Sequence, residues 1–536
     1  MKKFITMVAF ATMAFSLVGC SSDDTASTDD GAWVTIAKEN DVISMDSMYA
    51  TDGDSFAAIH ATIDGLMDQD ADGNIIASLA ESYDVSDDGL VYTFYLREAY
   101  WSNGTQVTAA DFVFAWNGGI NSADCEYAYL FTTDGAAIAG ADEILYDGDT
   151  SAELGVVAVD DLTLEVTLSQ DTPYFLSLMT FPVFYPINEE FYDAQDGDYG
   201  LTPENLISCG PYTLTSWEKG SSLTFTTSET YWDAEAVQVD GFEIQIMAEV
   251  SSSVTAFEAE EVDFTKVSSD LISLYQDSDE FTSVLEGYLW YFQFNLYDEV
   301  AGNYNLRMAI AYALDNEDLC ENVLQDGSIV ADGFVPYDLS TGPDGEDYRD
   351  TADVYFEQDL DLAAYYWELA QDELGEEITI ELLYENADPA LSAAEYLQSQ
   401  LQEALPGLTI SMNMQTKEAR IELQKDVDFQ MVLTRWGPDY ADPTTYLNMY
   451  ITGGAYNYGG YSNDAYDTAL DNAAAADTDE ERWQYLKDAE AIMMEDLPVI
   501  PIFQVGGASL ISSSVTGIET HAVGVSYVYK NLAIVE

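Results

Sequence analysis

The sequence predicts an α/β protein, and three observations carry that expectation. From about residue 300, helical and strand patterns alternate: 306-LRMAIAYALD-315, 361-DLAAYYWELA-370, 378-ITIELLY-384, 391-LSAAEYLQSQLQEA-404, 408-LTISMNM-414 and 429-FQMVLTRW-436. Residues 211–247 are dense in strand formers, and the chain returns to strand at 499-VIPIFQV-505. Of 536 residues, 48% are apolar and 13% aromatic, enough for a large core despite a formal net charge of −84.

Each earlier element has its own signal. Residues 33-WVTIA-37 read as a strand. Over 54–67, Phe56, Ile59, Ile63, Leu66 and Met67 fall at helical spacing. The next stretch, 68-DQDADG-73, opens like a calcium loop, but the twelfth position is Leu79 rather than a bidentate acid. It therefore reads as an Asp-Gly turn, and no metal is expected. Residues 82–98 predict a hairpin around Asp87-Asp88-Gly89, its second arm alternating Val91, Thr93, Tyr95 with Tyr92, Phe94, Leu96. Thr108 as N-cap and Asp111 form a capping-box variant for a helix over 107–119. A second hairpin spans 156–168 around Asp160-Asp161.

The N-terminus predicts export. Lys2 and Lys3 precede the apolar run 4–18, which is too short to span a membrane and reads as a signal peptide. It ends in 17-LVGC-20, which looks like a bacterial lipobox with Cys20 as the lipidated residue. Residues 20–32 are small, polar and acidic, a flexible tether. The expected location is the cell envelope, on a bacterial membrane, facing the periplasm or exterior. Cys125, Cys209 and Cys320 fit no zinc spacing; two could pair, or all could be buried thiols. With 99 acids against 15 Lys and Arg, nucleic-acid binding is excluded as a reading.

Several of these pieces, in this order, resemble the oligopeptide-binding family, the extracytoplasmic solute-binding proteins of peptide ABC importers (solute-binding protein family 5). The matching stretches are 79-LAESYDVSDDGLVYTFYLRE-98, 101-WSNGTQVTAADFVFAW-116, 210-GPYTLTSW-217, 231-YWD-233, Asn295 with 307-RMAIAYALD-315, 435-RWGPDYADPTTYL-447 and 497-LPVIPIF-503. The resemblance implies a two-lobed periplasmic-binding-protein-like (type II) fold with an extra inserted domain, closing about a hinge. Lobe I would comprise 33–55, 188–285 and 507–536, the inserted domain 56–187, and lobe II 286–506. It implies a monomeric lipoprotein without cofactor that captures peptides and delivers them to permease subunits. Relatives of this fold also bind nickel chelates, haem, sugars or signalling peptides.

Site residues follow from the matched motifs. A closed cleft must satisfy an extended peptide backbone and must pair the ligand's ammonium with a carboxylate. The resemblance places that carboxylate at Asp439, with Asp442 as the alternative and Trp436 and Tyr440 as pocket walls. Arg435 adjoins them, but so few basic residues argue against a fixed cationic site for the ligand's C-terminus. Asp41, Val42 and Ser44 match a segment offering main-chain contacts. Tyr288, Trp290 and Phe292 share one strand face near the hinge. Tyr127 and Tyr129 of the inserted domain could approach the ligand. Two departures stand out: Met45-Asp46-Ser47 where the family commonly has Leu-Asp-Pro, and Lys417 where relatives can place an aromatic. The rival classes are a hydrolase and a surface receptor or adhesin. For the hydrolase there is no H-E-x-x-H, G-x-S-x-G or P-loop, so no catalytic residue is assigned.

Overall fold

Ten strands form the backbone of one long sheet: β1 (Trp33–Lys38), β2 (Tyr212–Glu218), β3 (Ser222–Thr227), β4 (Gly241–Ile246), β5 (Phe264–Lys266), β6 (Phe281–Phe294), β7 (Ile378–Glu385), β8 (Leu408–Gln415), β9 (Met431–Trp436) and β10 (Val499–Ile511). They belong to a computed structural model that describes residues 31–535, apart from 72, 387, 388, 455 and 477. The signal peptide, Cys20 and most of the tether lie outside the described residues.

The strand order is β8-β7-β9-β6-β10-β5-β1-β4-β3-β2, with Ile329–Val330 pairing onto β10. Parallel pairs β7–β8 and β7–β9 mark one end, and β1–β4 and β1–β5 the other. The two long strands β6 and β10 run antiparallel through the middle and serve both halves. Their pairing is interrupted between Leu285 and Leu289, where β6 bulges.

Helices cover the second half as the sequence predicts: Tyr304–Ala313, Leu360–Leu374 and Ala390–Ala404. Two large cores result, beside smaller clusters. One draws on residues between Val34 and Phe264 and again between Val515 and Leu532. The other runs from Leu289 to Phe503 and takes in Val523. The first also includes a four-stranded sheet built by Ala80–Val85, Val91–Leu96, Thr163–Thr167 and Val156–Asp160. Both predicted hairpins are present there, with Tyr92, Phe94 and Leu96 buried. The helix Ala109–Asn121 begins with the expected capping box, the Thr108 N–H donating to Asp111 Oδ2 at 2.8 Å.

One expectation needs correction. The helix expected over 54–67 spans only Gly53–Thr62, because Ile63 is already extended. Leaving the helix there lets the buried Asp64 accept bonds from Tyr231 (3.1 Å) and Trp232 (2.8 Å). Leu66 and Met67 are still buried, as their spacing required, but Met67 starts a short strand, Met67–Gln69. That strand pairs with Ile75–Ala77, so the acidic stretch is a hairpin turn. Asp68 points inward, with Oδ1 3.0 Å from His60 Nε2, and its burial and hydrogen bonding are those of a structural group. Cys125, Cys209 and Cys320 are buried free thiols, which resolves their open pairing. Among the described residues no helix is long and apolar enough to cross a membrane.

Candidate ligand cleft

Strand β9 ends at Trp436 and runs into a loop that reaches residues 127–178. Gly437 is needed where the chain passes Tyr288: a Cβ there would lie 2.3 Å from the tyrosine ring. Three successive loop residues then meet groups from 127–178. Tyr129 lies within hydrogen-bonding reach of the Asp439 carboxylate. The Tyr440 ring stacks on Tyr174, with centroids 4.1 Å apart and planes at 8°. The Ala441 N–H donates to Ser177 Oγ at 3.1 Å. Tyr440 thus packs into the first core although its chain neighbours belong to the second. These contacts join the loop after β9 to residues 129–177.

Asp439 has no cation within ion-pair distance among the described residues. Burial pushes its carboxyl up to about 7, an effect only partly offset by the Tyr129 hydroxyl. Its field reaches the hydroxyls of Tyr127, Tyr129, Tyr288 and Tyr456, which surround it with aromatic walls. A desolvated carboxylate with no counter-ion is costly, and an incoming cation removes that cost.

Asp442, the alternative ammonium partner, is already committed. Arg482 grips it with two bonds of 2.8 Å, and Thr444 donates to the same carboxylate from N–H and hydroxyl. At 5% exposure this is a structural ion pair. The fork geometry of guanidinium on carboxylate already supplies Asp442 with a counter-ion.

Tyr288, Trp290 and Arg435 form the neighbouring wall. Trp290 lies opposite Arg435 in the β6–β9 register. The Arg435 guanidinium sits 4.9 Å from the Tyr288 ring centroid and 5.5 Å from that of Trp290. Trp290 is 1% exposed and stacks on Phe503, so it is core as much as wall; Tyr288 is 37% exposed. The Trp436 ring meets Tyr456 edge-on at 4.8 Å.

Residues 41–46 make several bonds within the protein. Val42 is buried in the first core. The Ile43 and Ser44 N–H groups donate to Ser55 Oγ, Met45 N–H to the Gly200 carbonyl, and Asp46 N–H to Ser44 Oγ. Asp41 accepts from Trp217 Nε1 and the Gly220 N–H. The N–H groups of residues 43–46 and the Asp41 carboxylate are thus bonded within the protein. Lys417 is exposed at the start of the helix Lys417–Lys425. Sequence reasoning missed Tyr174, Ser177 and Tyr456. Their tyrosine-rich surroundings were a weak signal at best, since 37 tyrosines are spread along the chain.

The family description "Bacterial extracellular solute-binding proteins, family 5 Middle" matches residues 74–458. The dipeptide-binding protein of Lactococcus lactis subsp. cremoris is 30% identical over 545 residues, covering 97% of this chain and 96% of its own. The dipeptide-binding protein DppE of Bacillus subtilis is 28% identical, covering 98% and 97%. Among solved structures, Listeria monocytogenes OppA bound to peptide superposes with a TM-score of 0.78 at 32% identity, covering 95% of this chain and 100% of that one.

Proposed function

The chain belongs to the family 5 bacterial extracellular solute-binding proteins, and from that premise we propose that it captures peptides by their ammonium terminus at Asp439. The observation that carries this reading is the half-buried, tyrosine-walled carboxylate without a counter-ion. In an open arrangement Asp439 is hydrated. Closure brings Tyr129 and the Tyr174–Tyr440 stack against it and removes that water. Without a ligand, closure strands a charge or requires its protonation. With an ammonium in place the same burial strengthens the ion pair. The ligand thus favours the closed state because it interacts more strongly with that state. Trp436, Tyr440, Tyr288 and Trp290 shape the walls. The names of the Lactococcus and Bacillus relatives, and the peptide on the Listeria protein, support a peptide as the ligand class.

The protein works as a monomer, held on the outer face of a membrane by lipid at Cys20, and passes its ligand to an ABC permease. Capture and release need no bond cleavage. Lobe I spans 33–55, 188–285 and 507–536, lobe II 286–506 and the inserted domain 56–187. These boundaries have support from β6 and β10, which cross near 286 and 506. Incubating the purified protein with a mixed peptide pool, then analysing bound and free fractions by mass spectrometry, tests the reading. Retained intact peptides are expected; cleavage products, or a pool left undepleted, contradict it.

A further inference from the structure

Near the C-terminus, Glu519–Thr520 pairs antiparallel with Tyr527–Val528, and residues 521–526 form the tip of this hairpin. Val525, Tyr527 and Val528 belong to the first core. Val523, at 6% exposure, is buried instead in the second core, and Ala522 packs against that core too. Gly524 turns the tip at φ 78°, a left-handed conformation that favours glycine. The tip therefore ties the two cores together.

It does so beside the crossing strand β6. A Cβ on Gly287 would lie 2.2 Å from the Ala522 carbonyl oxygen and 2.7 Å from Pro438 Cγ. Gly287 falls in the interruption of the β6–β10 pairing, and Pro438 immediately precedes Asp439. Gly287 is thus packed both by the hairpin tip and by the loop that carries Asp439.

The residue before Ala522 is one of only two histidines in the chain, and the charge of the other reaches it. His60 Nε2 lies 3.0 Å from Asp68 Oδ1, and Lys530 Nζ 3.9 Å from Asp68 Oδ2. Asp64, in the same cluster, accepts from Tyr231 and Trp232. Burial opposes the charge on His60, but Asp68 outweighs it and holds His60 above its ordinary value. The groups whose charge reaches His521 are His60, Asp68 and Asp70. Burial, and then the His60 charge, push His521 below its ordinary 6.5. Its Nε2 is buried with no hydrogen-bond partner among the described residues, and Asp68 is already engaged by His60 and Lys530. A proton on His521 is therefore poorly accommodated while the tip is docked.

We propose that the tip 521–526 is a pH-sensitive strap: with His521 neutral it docks against Gly287 and the second core and steadies the loop carrying Asp439, and proton uptake by His521 lifts it and loosens that loop. The consequence for ligand rests on the Asp439 reading. The docked ring holds a proton less tightly than a solvated one, so docking is fully favoured above pH 6.5 and weakens as pH falls below it. That sign is opposite to that of Asp439, whose raised carboxyl favours the folded state at low pH.

Hydrogen exchange of the full chain at pH 7.5 and 5.5, corrected for intrinsic rates, tests the strap, and trialanine release followed by intrinsic fluorescence tests its reach. One proton on a group of ordinary pKa 6.5 lowers the docked-to-lifted ratio by up to ~10-fold over this interval. Protection of 519–528 should accordingly fall ~3- to 10-fold in the wild-type protein and stay constant in His521→Gln and His521→Phe. Two replacements are used so that lost packing in one is not mistaken for the lost proton. Trialanine release should accelerate at pH 5.5 in the wild-type protein only. Val523→Ala, which removes the anchor and keeps the histidine, should lower protection at both pH values. Asp439, Asp46 and His60 titrate in all of these proteins, so the difference between wild type and the His521 variants isolates His521. The same fall in protection with and without His521 overturns the strap. A strap that loosens while trialanine release stays constant overturns its link to the cleft. If trialanine is not bound at all, the capture reading fails, and the exchange difference still decides the strap.

Discussion

Asp439 and Asp442 lie three residues apart in one loop and have opposite fates. Asp442 is clamped by Arg482 and Thr444 and holds its segment against the helix Asp479–Asp496. Asp439 is half-buried near tyrosines, with no cation in ion-pair distance among the described residues, and carries the cost of its desolvation in its raised carboxyl, at about 7. A buried charge that is paired serves the fold; one left unpaired at a closing cleft is poised for a ligand. Local sequence does not separate the two, because the deciding partner, Arg482, is forty residues away.

The largest expected effect breaks the structural member of the pair. Asp442→Asn leaves Arg482 buried without its counter-charge and should cost ~3–5 kcal/mol in urea unfolding. An unchanged midpoint would mean the pair is not structural. Asp439→Asn should do the reverse: stability at pH 8 unchanged or higher, with peptide affinity down by ~2 kcal/mol or more, the worth of a hydrogen-bonded charge. A variant that unfolds like Asp442→Asn would erase the contrast.

The pH dependence sharpens it. Since the Asp439 carboxyl is raised to about 7 in the folded state, the native protein keeps a proton that the unfolded chain has lost above 3.8. Its contribution to stability is therefore greatest at low pH and declines as pH rises from about 4 to about 7. Buried Asp46, also pushed up to about 7, acts in the same window. The difference between wild-type and Asp439→Asn stability curves isolates the cleft residue, and parallel curves would contradict its assignment. The smallest effect concerns the Tyr174–Tyr440 contact: Tyr174→Ala removes the stack on Tyr440 and should weaken peptide binding by ~0.5–1.5 kcal/mol, chiefly through faster release. No change in release rate would mean the stack does not hold the closed state.

Much of the fold was legible because local signals agreed with it. The Asp-Asp-Gly turn, the Thr108 capping box and the alternation after residue 300 each needed only near neighbours. The helix after Gly53 was overextended because Leu66 and Met67 keep helical spacing while being buried from a strand. In the cleft, the motif around Trp436 located Asp439. The same motif could not show that Asp442 was taken, that Ser55 ties down 43–44, or that Arg435 lacks an acid. Those facts depend on contacts between distant parts of the chain, which short patterns do not encode.

The central claim, that Asp439 receives a ligand ammonium, is tested most directly by a thermodynamic cycle at pH 8. A free-amine tripeptide and its N-acetylated form are titrated into the wild-type protein and into Asp439→Asn. The account predicts that acetylation costs ~30-fold or more in the wild-type protein and less than ~3-fold in the variant, because the two changes remove the same ion pair. An equal cost in both proteins would place the ammonium elsewhere and contradict the account.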